Sequence, residues 1–127
     1  MICIVACLAI HAMLADAVVG APTNPVQAAF GNTILSTYPD GRKAELWLKP
    51  DGAYTLKGRR GDLSGGHWSV RGAKLCLRQA HPFPVLFNFC SPIPNNLTGG
   101  AWSAKAFTGE TVKLQLVHGG EQSGPAG

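Results

Sequence analysis

From Thr33 onward the chain alternates apolar and polar residues in short runs that stop at turn residues, and this period of two restricts it to a β-sandwich or β-barrel. The run Thr33–Tyr38 sets Ile34, Ser36 and Tyr38 against Leu35 and Thr37, and Pro39-Asp40-Gly41 then turns the chain. In Ala44–Leu48, Leu46 and Leu48 share one face and Glu45 and Trp47 the other. Lys49-Pro50-Asp51-Gly52 is the strongest hairpin signal, because Pro presets φ, Asp bonds its own backbone and Gly accepts positive φ. Ala53–Lys57 returns as a strand, and a loop rich in glycine and charge runs from Gly58 through Gly65-Gly66. His67–Val70 and Lys74–Arg78 form the next hairpin across Arg71-Gly72-Ala73. His81-Pro82-Phe83-Pro84 is extended, Val85–Cys90 is a strand with Val85, Phe87 and Phe89 on one side, and Ser91–Asn96 is a loop. Ala101–Phe107 and Thr111–Val117 make the last hairpin, with Val112, Leu114 and Leu116 facing inward. The expected fold is all-β, a small antiparallel up-and-down meander or barrel of about eight strands.

The N-terminal residues read differently. Ile2–Ile10 is a continuous apolar run, followed by small residues at Ala15, Ala17, Gly20 and Ala21. The run is shorter than the roughly 20 residues of a membrane span and has the length of a signal-peptide core. Residues 1–20 are therefore read as an export signal, 21–31 as a linker, 32–118 as the barrel and 119–127 as a disordered tail. The signal departs from the usual pattern in having no Lys or Arg before its apolar core. Its removal takes Cys3 and Cys7 and leaves Cys76 and Cys90, an even count that in an exported small domain reads as one disulfide. Closing a loop of about 15 residues contributes roughly 3 kcal/mol. Two buried free thiols are the other reading; the spacing of the two cysteines around His81 matches no zinc site.

Two stretches, Leu46-Trp47-Leu48-Lys49-Pro50-Asp51-Gly52-Ala53-Tyr54 and Gly66-His67-Trp68-Ser69-Val70 with Leu75-Cys76-Leu77 after it, carry a resemblance. They resemble small secreted or periplasmic proteobacterial proteins of lipocalin-like, meander-barrel type, over about a third of the chain. The resemblance implies a barrel and an exported location. The N-terminal domain of the copper-stress lipoprotein family has a similar shape and carries a C-x-x-C motif, which this chain lacks.

Function is less legible. There is no G-x-S-x-G, and Ser64 and Ser69 flank His67 without a recognisable triad. The expectation is a protein that is not an enzyme and uses no cofactor or metal. A formal charge of +4 favours anionic partners only in general, and no nucleic-acid motif or membrane span in the mature chain is expected. Arg59 and Arg60, beside glycines, suit bidentate capture of an anion or a solvated loop. Trp47, Trp68 and Trp102, with Tyr38 and Tyr54, suit the lining of a ligand pocket or the core, with Trp68 expected at a barrel base or mouth. The reading is an exported β-barrel binding module for an apolar or anionic small molecule, with ligand-binding residues Arg59, Arg60, Trp68, Tyr54 and Trp47. The alternative is a protein-interaction module or secreted inhibitor at the cell envelope, favoured by any exposed apolar patch around Phe83–Phe87.

Overall fold

A computed structural model describes residues 24–120; the export signal read at 1–20 and the last seven residues lie outside the described residues. Eight strands follow one another: β1 (Thr33–Thr37), β2 (Lys43–Leu48), β3 (Ala53–Lys57), β4 (Leu63–Arg71), β5 (Lys74–His81), β6 (Phe89–Pro92), β7 (Trp102–Lys105) and β8 (Thr111–Val117). They form one antiparallel sheet in the order β6-β5-β4-β3-β2-β1-β8-β7. The sheet curls until β6 and β7 face each other without a ladder between them, which gives an up-and-down barrel with one seam. The only helical element among the described residues is a 3-10 turn at Gln27–Ala29.

Four of the hairpins use one construction. At Tyr38–Arg42, Lys49–Ala53, Gly58–Asp62 and Ala106–Glu110 the first residue's N–H donates to the carbonyl of the last, and the glycine N–H donates back to the first carbonyl. Gly41, Gly52, Gly61 and Gly109 all have φ between 86° and 96°, the left-handed residue that follows a type I turn in such loops. Antiparallel alternation then sends the β1–β2, β3–β4 and β7–β8 turns, with the 82–88 loop, to one end of the barrel. The β2–β3 and β4–β5 turns lie at the other.

The core sits toward that second end. Ile34, Leu46, Leu48, Tyr54 and Leu75 pack there against Val26, Ala29 and Leu97. Val26 and Ala29 come from the segment read as a linker, and they are 0% and 1% exposed. The Asn24 side chain accepts from Val26 N–H at 3.0 Å, which curls the lead segment under the barrel so that its apolar side chains close the base. Trp68 is at this base, against Phe30 at 5.7 Å between ring centroids.

Several boundaries differ from the sequence reading, and β5 runs past Arg78 to His81. Gly65-Gly66 is not loop but strand, inside β4, where the register against β5 shifts. A Cβ on Gly66 would run into the Arg78 carbonyl oxygen, and one on Gly65 would meet the Tyr54 carbonyl oxygen at 2.8 Å. The glycines are there because backbones approach closely at a bulge. Second, the strand expected at Val85–Cys90 shrinks to Phe89–Pro92 and gains Ser91 and Pro92. Pro82 and Pro84 withhold ladder donors, and pairing resumes only where Leu77 meets Phe89 and Cys76 meets Cys90. Third, Ala101–Phe107 is strand only over Trp102–Lys105. The disulfide joins Cys76 to Cys90 as expected, between directly opposed residues on the outer face of β5 and β6.

Candidate functional site

The lumen is filled at the base and hollow above it, and the residue sizes explain why. Inward positions near the base carry Ile34, Leu48, Tyr54 and Leu75. Inward positions nearer the other end carry Ser36, Ala44, Gly58, Ala104 and Ala106. Small side chains on several facing strands leave a gap that a taper of large and small residues would otherwise fill. The result is a cavity of about 190 Å³ with walls from Ile34, Leu46, Leu56, Leu77, Phe89, Trp102 and Leu114. Among the described residues, Lys105 is the only charged one in its lining.

A second apolar hollow of about 220 Å³ adjoins it, sharing Leu56, Leu77, Phe89 and Phe107 and adding Tyr54, Val85 and Phe87. Phe107, on the β7–β8 turn, reaches across the open end of the seam to the β6 side. Its ring stacks on Phe87 and meets Phe89 edge-on, each at 5.9 Å. Aromatic contacts, not ladder hydrogen bonds, hold the seam together at this end. Phe83, Leu86, Phe87 and Phe107 are 62%, 83%, 53% and 71% exposed, so the β6 side of this end carries exposed apolar side chains.

Arg59 stands beside Gly58 at the same end and has its partners already. It donates to Glu110 through its two terminal guanidinium nitrogens, at 2.7 and 3.3 Å, and to Asp40 at 3.3 Å. It also lies 4.1 Å over the Tyr38 ring. The three turns that carry these residues are thereby tied together. The hydrogen bond to Arg59, then that from Thr108, holds the Glu110 carboxyl below the usual carboxylate range, and the Glu110 hydrogen bond raises Arg59. Burial raises the phenols of Tyr38 and Tyr54, Arg59 opposing it at Tyr38.

The five residues read as ligand-binding therefore separate. Tyr54 borders the second hollow and Trp68 supports the base through Phe30 and a bond from Nε1 to the Lys49 carbonyl at 2.8 Å. Arg59 closes the turn end. Arg60 is exposed on its turn. Trp47 is on the outer face of β2, 3% exposed, donating to Thr33 Oγ1 at 2.9 Å, and lines neither hollow. Trp102 and Tyr38, also read as pocket lining or core, line the first hollow, and the residues missed were Phe89 and Phe107. The inward positions at Trp102, Ala104 and Ala106 follow the same period of two, so the signal was a run of small inward residues.

Among the described residues no three His, Cys, Asp or Glu side chains come together in a way that would hold a metal ion, and no helix is long and apolar enough to cross a membrane. Comparison with protein-family models, with curated proteins and with solved structures finds no match.

Proposed function

We propose that the chain is an exported binding module that takes one small apolar molecule into the barrel lumen. The observation that carries the reading is the apolar cavity of about 190 Å³ between the filled base and the aromatic rim. A dry apolar cavity of roughly 150 Å³ accepts benzene, so the lumen suits a single substituted ring or a short chain. At common ligand efficiencies a guest of about nine non-hydrogen atoms reaches a Kd between about 1 µM and 1 mM. Export is supported by the Cys76–Cys90 bond, since disulfides persist in oxidising compartments. The eight-strand up-and-down order supports the lipocalin-like reading of the sequence.

Toluene titrated into methyl-labelled protein tests the reading. Saturable shifts of the Ile34, Leu46 and Leu114 methyl resonances are expected. Shifts confined to Leu86 on the rim would place binding outside the lumen and end it.

A second reading has its own observation. The exposed surface of Phe83, Leu86, Phe87 and Phe107 is the kind of apolar patch that marks a protein contact, in line with an interaction module or inhibitor at the envelope. Replacing Leu86 and Phe83 by Ser separates the two, because lumenal toluene binding survives those changes and docking on the rim does not.

A further inference from the structure

Among the described residues six large apolar side chains are exposed, and five of them, Leu63, Phe83, Leu86, Phe87 and Phe107, belong to one end of the barrel. That end carries the β1–β2, β3–β4 and β7–β8 turns and the 82–88 loop. The sixth, Val117, closes β8 at the opposite end. Single apolar residues scattered over a surface are ordinary, but a gathering of them marks contact with a protein or a membrane. Three of the five come from the 82–88 loop, whose backbone is tied to β5. Val85 N–H donates to the Gln79 carbonyl at 3.0 Å, Gln79 Nε2 to the Phe83 carbonyl at 3.0 Å, and Arg78 to the Leu86 carbonyl at 3.4 Å. The loop is held by its main chain while Phe83, Leu86 and Phe87 stay exposed to solvent.

The charges at this end narrow the choice of partner. Arg59 is engaged with Asp40 and Glu110, and Lys57 stands opposite Glu45 on the β2–β3 ladder. Arg42, Lys43, Arg60, Lys105 and Lys113 have no carboxylate in ion-pair range among the described residues, and Asp62 is the one acid at this end without a basic partner there. All five cations lie on the turns or within three residues of them. Three are lysines, a residue depleted in protein interfaces. Exposed apolar side chains beside unpaired Lys and Arg are instead the composition that lies on an anionic lipid surface, where apolar burial and attraction to the headgroups add.

We infer that this end docks on an anionic lipid surface. Leu86, Phe83 and Phe87 enter the headgroup layer, and the cations of the neighbouring turns lie over the lipid phosphates. The barrel then stands on its turn end, with the hollow bordered by Val85, Phe87 and Phe107 toward the lipid and the base closed by Val26 and Ala29 away from it. The inference is independent of lumenal binding.

Flotation of the full chain with vesicles of phosphatidylcholine mixed equally with phosphatidylglycerol tests it. The apolar run at Ile2–Ile10 is common to every variant, so differences among them belong to the barrel. Binding is expected to weaken as salt rises and to fall about tenfold or more in Phe83→Ser with Leu86→Ser, which removes two apolar side chains from the contact. Lys43→Gln with Lys113→Gln should weaken it by about fivefold for each charge removed. Arg71→Gln with Lys74→Gln takes the same charge from the opposite end, beyond the reach of the surface potential, and should change binding by less than about twofold. Wild-type protein supplies a measurement that needs no variant to fold. A spin-labelled lipid in the same vesicles should broaden the methyl resonances of Leu63 and Leu86 and spare those of Val117. Equal losses from the two charge-removing pairs, undiminished binding of the loop variant, or broadening that spares Leu86 overturns the inference. Absence of binding to these vesicles overturns it too and leaves the exposed loop to a protein partner, while toluene binding in the lumen stands or falls separately.

Discussion

Arg59 is the clearest case of a residue whose charge is used within the fold. Between two glycines it is free to be an anion site, yet Glu110, Asp40 and the Tyr38 ring take up its donors and its face. The pairing makes stability depend on pH. Because Arg59 lowers the Glu110 pKa in the folded state, the unfolded chain binds the proton more readily. The contribution is thus present above the ordinary glutamate range near pH 4.3 and is lost as pH falls through the lower folded value. Melting temperatures followed from pH 7 to pH 2 should therefore fall more steeply for the wild type than for Glu110→Gln, with the difference appearing below about pH 4.5. Parallel curves would mean that the ion pair holds no preference between the two states.

At the scale of the strand, the bulge in β4 shows what a residue list conceals. Gly65-Gly66 looks like loop composition, and only the pairing with β5 reveals why no side chain fits: the Arg78 carbonyl occupies the place of a Cβ on Gly66. Gly66→Ala is expected to cost about 1–3 kcal/mol by overpacking, read as a lower urea midpoint. A midpoint within error of wild type would show that β5 slides to make room. The elements that were legible have local causes. The β2–β3 hairpin follows from Pro50-Asp51-Gly52, the inward faces of β2 and β8 from the period of two, and the disulfide from a count of cysteines. What was not legible has non-local causes. The length of β6 depends on where β5 presents Leu77 and Cys76, and the burial of Val26 and Ala29 on a barrel base assembled from strands far along the chain. The candidate site is of this second kind. Tyr54 was placed near it from its strand, but the lumen exists only because small residues on β1, β2 and β7 meet Gly58 just beyond β3.

Over the whole molecule the ladder is continuous from β6 round to β7, with the first and last strands paired over five residues from Thr33–Val117 to Thr37–Lys113. Protection against amide exchange should follow that continuity. The amides of β2 and β3, paired on both sides, are expected to exchange slowest, and the edges of β6 and β7 that face the seam fastest. Protection as strong at the seam as at β2 would require a ladder there that the strand order lacks.

That unlaced join has one more consequence. In a fully laced cylinder, widening the bore means breaking rungs, so the resting void sets the largest guest. Here no ladder joins β6 to β7, and side-chain contacts such as those of Phe107 with Phe87 and Phe89 bridge the gap. On the lumenal-binding reading, a guest bulkier than the empty lumen enters by parting this side, and its escape rate is set by how firmly Phe107 grips its two neighbours.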